Sequence, residues 1–241
     1  MDPRTLLEHL ATEGGRIATT TIAQLATEVP SMPGWSVGRL VGHVGFVNEL
    51  AAADGAGRGE PTDRSALPMP PKDETVAAYY ATSLNRAQEV LGALDPAAEC
   101  STWNGTQTVG WWIRRLAHET AMHRWDIENA LGKPTPIDAP LAVDGVDEIF
   151  DLFTGSRFDT DAFAPSGETV HLHATDIDGE WLATFTPEGV TCEHTHAKGD
   201  VAVRGPASDL LLTLWSRRDL NGLEVFGDRT LIERWQAAAN F

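Results

Sequence analysis

Apolar residues recur at intervals of three and four through the first half of the chain, the spacing that one face of an α-helix requires. In the second such segment, Val37, Leu40 and Val44 define an inner face, and Ser36 before it is a typical N-cap. The predicted helices cover residues 4–26, 37–53, 74–94 and 108–131, and residues 97–107 are expected to form a loop. Four helices joined by loops predict an antiparallel bundle.

The pattern changes after GKPTPIDAP, a proline-rich stretch at residues 132–140 that is typical of a linker. A predicted helix at 141–153 is followed by short alternating segments separated by turn signals, which indicate an antiparallel sheet. These segments read ETVHLHATD, EWLATFTPEG, VTCEHTH and DVAVRG. Two further helices, at 207–218 and 229–239, bracket a short strand. We therefore expect an α+β fold with a four-helix bundle at 1–135 and a smaller α+β domain at 136–241.

The charge of the chain narrows the range of partners. Eighteen basic and 35 acidic residues among 241 give a formal net charge of −17, which repels phosphate backbones and anionic membrane surfaces. The sequence also lacks a long apolar run for a membrane span and a basic, then apolar, N-terminal signal. We expect a cytoplasmic monomer that binds neither nucleic acid nor membrane.

The cysteine content limits the kinds of metal site that the chain can build. Only Cys100 and Cys192 are present, and neither belongs to a CxxC motif. A disulfide framework or an all-thiolate zinc site is therefore not supported. Any metal must be held by histidine and carboxylate side chains.

The fourth predicted helix carries the clearest candidates for such ligands. Glu119 and His123 are four residues apart, so they lie one above the other on a helix face. The zinc-protease motif HExxH is excluded, because HETAMH places His118 five residues before His123, about 140° around the helix. Alone, a Glu-xxx-His pair is also compatible with a salt-bridged glutamate and a satisfied histidine. A third ligand has to come from elsewhere.

That third ligand is available on the second helix, where His43 lies beside the apolar face. His43, Glu119 and His123 can converge at the mouth of a bundle. Two imidazoles and a carboxylate with open positions are typical of a catalytic zinc site. Asp126, one turn after His123, can orient an imidazole as a hydrogen-bond acceptor. The alternative for Asp126 is a surface charge paired with Arg115 or Arg124.

A second group of histidines lies in the predicted sheet. His171 and His173 share one face of a strand, and Cys192, His194 and His196 alternate in the same way further on. The opposite parity, Val170, Leu172 and Ala174, is apolar and is expected to be the buried side. We therefore expect His171 and His173 to face water. Cys192 is not expected to be a catalytic thiolate, because its surroundings are acidic.

Three segments carry a resemblance to a known family. PGWSVGRLVGHV, LAHETAMHRWDIENAL and GPASDLLLTLWSRRDLNGLEVFGD resemble the mycothiol-dependent maleylpyruvate isomerase family, in which a DinB-like metal-binding bundle precedes a smaller α+β domain. The resemblance implies that His43, Glu119 and His123 bind the metal and that Arg217 helps to bind an anionic ligand. The family usually has glycine before that arginine, whereas this chain has Ser216. With Arg218 adjacent, either arginine can be the inward one.

The resemblance also implies a function. A divalent metal, with zinc as the first candidate, would activate mycothiol or another low-molecular-weight thiol as a nucleophile toward an electrophilic substrate. The expected enzyme is a thiol S-transferase or a maleylpyruvate isomerase-like enzyme. Two alternatives stay open at this point: a hydrolase with metal-activated water, and a non-catalytic metal-stabilised binding protein.

Overall fold

Four long helices make up most of the first of two units, Met1–Thr135. The computed structural model describes residues 1–60, 62–152, 163 and 165–238. The helices of this unit are α1, Pro3–Ile17; α2, Val37–Ala56; α3, Val76–Ala93; and α4, Val109–Ala130. Ser36 caps α2 as predicted, since its side chain accepts a hydrogen bond from the backbone N–H of Arg39 at 3.2 Å. Thr108 caps α4 in the same way.

The helices of this unit form a bundle in which α1 and α2 each pack against both α3 and α4. Tyr80 of α3 donates its hydroxyl to the carbonyl oxygen of Gly14 in α1 at 3.1 Å. Arg124 of α4 donates from Nε to Glu13 of α1 at 2.5 Å, and both side chains are buried. The predicted helical N-terminal part is confirmed. Helix α1 ends nine residues before the predicted end, where Thr19, Thr20 and Thr21 follow and β-branched residues disfavour helix.

The segment between α3 and α4 is not the loop that the sequence predicted. It forms a two-stranded antiparallel hairpin, β1 at Glu99–Thr102 and β2 at Gly105–Thr108. Gly105 has a φ of 82°, a conformation that glycine adopts without strain. Trp103 and Asn104 form the turn, and Asn104 is followed directly by Gly105 at the start of β2. An Asn-Gly pair is a hairpin signal, and it was available in the sequence.

The second unit, Pro136–Phe241, is built on a five-stranded sheet. Its described elements are α5, Ala139–Leu152; β3, Thr169–Ala174; β4, Glu180–Thr186; β5, Gly189–Glu193; β6, Val201–Gly205; α6, Ala207–Leu214; β7, Glu224–Gly227; and α7, Thr230–Ala238. The strand order is β5-β4-β3-β6-β7. The predicted α+β fold class is confirmed. Residues 153 and 239, the predicted ends of two helices, lie outside the described residues.

The sheet differs from the prediction in one strand pair. Strand β6 pairs with β3 in parallel, whereas the β3–β4, β4–β5 and β6–β7 pairs are antiparallel. The chain leaves β5 at one edge and returns on the far side of β3, so β6 is reached by a crossover and not by a hairpin. The buried face carries Val170, Leu172, Trp181, Ala183, Phe185, Val201 and Val203. That face has the parity that the sequence predicted.

Candidate metal centre

Helices α2 and α4 position the three candidate ligands. The two helices pack against each other, and Trp112 of α4 donates its indole N–H to Asp54 of α2 at 3.2 Å. His43 projects from α2 toward α4, where Glu119 and His123 follow each other at one-turn spacing. The bundle therefore brings together side chains that are 76 residues apart in sequence.

The three side chains meet at one carboxylate oxygen. Oε1 of Glu119 lies 3.0 Å from Nε2 of His43 and 3.2 Å from Nε2 of His123. The two imidazole rings are 5.3 Å apart and nearly perpendicular, at 84°. One potential ligand atom from each residue lies within 4.8 Å of the others. His43 is the most accessible, with 34% of its side chain exposed against 7% for His123, so the site opens on the side of His43.

Asp126 supports His123 from behind the site. Its Oδ2 lies 2.9 Å from Nδ1 of His123, and its Oδ1 accepts a hydrogen bond from the hydroxyl of Ser31 at 2.5 Å. Asp126 is fully buried, so the interpretation of this residue as a surface charge is wrong. A carboxylate on Nδ1 fixes the ring orientation and leaves Nε2 directed at Glu119. The role of Ser31 was not predictable, because it lies in a loop 95 residues away.

Opposed effects set the ionisation of the cluster. Burial alone would raise the pKa of Glu119, but the charge and hydrogen bond of His123, the hydrogen bond of His43 and the charge of Arg115 hold it well below its usual range. Burial alone would lower the pKa of His123, but the Glu119 carboxylate and the hydrogen bond to Asp126 raise it to about 9. Arg115 donates to Oε2 of Glu119 at 3.1 Å. Glu119 is therefore a carboxylate at neutral pH.

The donor set of this cluster suits a divalent transition metal. Two imidazole nitrogens and one ionised carboxylate oxygen face a common point, and they come from two packed helices. Three protein ligands of this kind leave at least one coordination position for another molecule, which distinguishes catalytic from structural zinc sites. The carboxylate on Nδ1 of His123 is the usual outer partner of a metal-binding histidine. His43, Glu119 and His123 therefore fit a metal ion.

Neither cysteine of the chain is available as a thiolate. Burial, together with the charges of Asp147 and Asp151, raises the pKa of Cys192 to about 12. Burial also raises the pKa of Cys100, which is fully enclosed. Both side chains are thiols at neutral pH and are poor nucleophiles. The chain's own cysteines are therefore not candidates for a thiolate nucleophile.

The two candidate arginines of the second unit have different surroundings. Arg217 and Arg218 follow α6, which ends at Leu214, four residues before its predicted end. Arg218 forms an ion pair with Asp209 and donates to the backbone oxygen of Asn221 at 2.6 Å. Arg217 donates to the backbone oxygen of Trp215 at 3.0 Å and is half-buried. A carboxylate of the same unit thus already holds Arg218.

The histidines of the sheet are not arranged as predicted. His171 is only 6% exposed, so the expectation that it faces water is wrong, whereas His173 is half-buried. The centroids of the His196 and His173 rings lie 5.4 and 6.3 Å from the centroid of the His171 ring. Glu180, which faces His173 in the β3–β4 register, contacts both His173 and His196. The sequence reasoning missed Glu180, although the β3–β4 hairpin register places it beside these histidines.

Comparisons with known proteins agree with this architecture. A family model described as "Mycothiol maleylpyruvate isomerase N-terminal domain" matches residues 7–128, and one described as "MDMPI C-terminal domain" matches residues 140–234. Among curated proteins, none matches the chain in sequence.

Two solved structures share the fold. A crystal structure of the mycothiol-dependent maleylpyruvate isomerase is similar over 93% of each chain, with a TM-score of 0.60 and 14% sequence identity. A crystal structure of a mutant of that enzyme gives the same coverage and TM-score at 13% identity. The chain belongs to the mycothiol maleylpyruvate isomerase family, which is a family of enzymes.

Proposed function

We propose that this protein is a metal-dependent enzyme that uses a low-molecular-weight thiol, in the first instance mycothiol, to modify an electrophilic small molecule. The observation that carries the proposal is the meeting of His43, Glu119 and His123, whose ligand atoms lie within 4.8 Å of one another. The family match adds the thiol, because the similar solved structure is described as mycothiol-dependent. Zinc is the ion that suits this donor set first.

The chain's own residues prepare the site for this chemistry. A divalent ion bound there would lower the pKa of a thiol in its open position and so supply a thiolate near neutral pH. Arg115 holds the second oxygen of Glu119, and Asp126 holds Nδ1 of His123, so both ligands are fixed before a metal binds. The partial exposure of His43 gives a small thiol access to the site.

The proposed reaction begins with addition of the thiolate to one carbon of an activated cis double bond. The new carbon–sulfur bond converts the double bond into a single bond, about which the adduct rotates. Loss of the same thiolate then restores the double bond in the trans geometry, and the thiol is regenerated. If the adduct instead takes up a proton on the neighbouring carbon and leaves, the outcome is S-transfer. We place isomerisation of a maleylpyruvate-like substrate first, because the similar solved structure is described as a maleylpyruvate isomerase.

The zinc content of ligand variants tests whether His43, Glu119 and His123 bind the metal. His43→Ala, Glu119→Ala and His123→Ala should each lower the zinc bound per chain by about one, because two remaining ligands make a poor site. His9→Ala changes the same residue type on α1, outside the cluster, and should leave the zinc content as in the parent. If all three ligand variants bind as much zinc as the parent, these residues are not the metal ligands.

The dependence of turnover on added thiol tests whether the enzyme uses a low-molecular-weight thiol. Zinc-loaded protein incubated with mycothiol and maleylpyruvate should form the trans isomer, with no net loss of thiol. Mass spectrometry with a panel of other electrophiles would detect thiol adducts and so identify a transferase. Turnover without any thiol would favour a hydrolase, and zinc binding without turnover would favour a binding protein.

A further inference from the structure

A second group of side chains with metal-binding chemistry lies within the sheet unit. Four of the eight histidines of the chain lie between residues 171 and 196. His171 and His173 occupy alternate positions of β3, and Glu180 begins β4 directly opposite His173. His196 lies in the segment between β5 and β6. Three separate stretches of chain therefore contribute to one cluster.

The distances within this cluster are short. Oε1 of Glu180 lies 2.5 Å from Nδ1 of His173 and 2.8 Å from Nδ1 of His196. The ring centroids of His171 and His196 are 5.4 Å apart and nearly perpendicular, at 89°. One potential ligand atom each from His171, Glu180 and His196 lies within 4.8 Å of the other two. The first candidate metal centre, with 5.3 Å and 84° between its imidazoles, has nearly the same geometry.

Ion pairing alone does not account for the whole cluster. Glu180 can pair with His173 and His196 without any metal. His171 is 94% buried, however, and its Nε2 has no hydrogen-bond partner among the described residues. A buried ring nitrogen without a partner is rare in folded proteins, because its lost hydration is not replaced. The same ring places one potential ligand atom within 4.8 Å of those of Glu180 and His196, as a shared metal ion requires.

We propose that His171, Glu180 and His196 form a second binding site for a divalent transition-metal ion, independent of the site at His43, Glu119 and His123. Imidazole with carboxylate selects zinc, nickel or copper over magnesium or calcium. The hydrogen bond from His173 holds the Glu180 carboxylate in place, as outer partners of metal ligands commonly do.

The surface beside the cluster gives an ion a route to it. A pocket of about 690 Å³ is lined by His173, Glu180 and His196, among other residues. His196 is 78% exposed in its side chain, so it can complete the site without disturbing the core. A bound ion would tie the segment between β5 and β6 to strands β3 and β4. The consequence is added stability of this unit in the presence of metal.

Zinc binding in a chain that lacks the first site tests the proposal. Full-length protein with His43→Ala and Glu119→Ala should still bind about one zinc per chain in equilibrium dialysis. Adding His171→Ala or His196→Ala to that background should weaken zinc binding at least about tenfold. Zinc should also raise the melting temperature of the background variant, and this rise should disappear with His171→Ala.

His194→Ala is the matched control. His194 lies two residues from His196 but contacts Asp147 at 3.3 Å and is not part of the cluster, so the control should bind zinc like the background. A background variant that binds no zinc would overturn the proposal, as would zinc binding that none of the cluster substitutions reduces. If the background variant does not fold, the same substitutions in the parent chain should lower bound zinc from two ions to one. An unchanged count there would also overturn it.

Discussion

Ser216 occupies a position that its side chain does not favour. Its φ is 56°, in the left-handed region, and it follows the last turn of α6. The backbone N–H of Ser216 bonds to the oxygen of Thr213 at 3.0 Å, and that of Arg217 bonds to the oxygen of Leu212 at 2.8 Å. These two bonds form a Schellman motif, which places glycine at the position of Ser216 in most helices. The motif gives a physical reason for the glycine that the resemblance to the family implies at this position.

Ser216→Gly should therefore stabilise the protein by about 1 kcal/mol, because glycine adopts the left-handed conformation without a steric penalty from Cβ. The expected rise in melting temperature is about 2–4 °C. Ser216→Ala serves as the control, since it removes the hydroxyl but keeps Cβ, and it should give no rise. A lower melting temperature for the glycine variant than for the alanine variant would contradict this account.

The sequence predicted that the candidate ligands come together, as far as residue spacing reveals such contacts. Glu119 and His123 were predictable because four-residue spacing on a helix fixes their relation, and His43 because it borders an apolar helix face. Glu180 depends on strand register, and Ser31 depends on where a loop packs against α4. Contacts of that kind follow from the folded chain and leave no periodic signal in the sequence.

At the scale of elements, two adjacent glycines in α1 have opposite roles. Gly14 is buried where α1 meets α3, and a Cβ there would lie 2.8 Å from both Leu84 methyl carbons and 3.1 Å from the Tyr80 hydroxyl. Gly15 is exposed, and a Cβ there would meet nothing within 4 Å. From the sequence alone, both glycines are expected to destabilise the helix equally, because glycine has a low helix propensity. The packing of α1 on α3 separates them.

Alanine at each position should thus have opposite effects on the free energy of unfolding. Gly15→Ala should stabilise by about 1 kcal/mol through helix propensity. Gly14→Ala should destabilise by about 1–3 kcal/mol, because the added methyl group overpacks the α1–α3 contact. Thermal unfolding of the two variants beside the parent measures both, and each variant is the control for the other. Equal shifts would show that α1 does not approach α3 closely at Gly14.

The helices were predicted better than the strands and their pairing. Helices α2, α3 and α4 were predictable from apolar spacing and caps, with ends displaced by a few residues. The hairpin of β1 and β2 was missed although its Asn-Gly turn was visible. The parallel pairing of β6 with β3 was not predictable, because alternation of apolar residues has the same form in both strand directions.

At the scale of the whole molecule, two properties bear on the proposed reaction. The net charge bears on how an anionic substrate is bound, and the protonated cysteines bear on where a nucleophile comes from. The chain carries a net charge of −17, so a site for an anionic substrate needs a specific cation. Both cysteines have raised pKa values and stay protonated at neutral pH. Under the proposed function, a small-molecule thiol supplies the sulfur and an arginine binds the carboxylate of the electrophile.

Arg217 is the arginine that we propose for this task, because the resemblance to the family implies an anion-binding role at this position. A guanidinium group can hold a carboxylate through two parallel hydrogen bonds, whereas a lysine ammonium keeps the charge but loses that geometry.

Arg217→Lys should therefore lower kcat/KM for a carboxylate-bearing electrophile about tenfold or more, the loss expected for one hydrogen bond to a charged group. Arg218→Lys retains a cation beside Asp209 and should change kcat/KM little. Zinc content and melting temperature should match the parent in both variants. Equal kcat/KM for Arg217→Lys and the parent would show that Arg217 does not bind the substrate carboxylate.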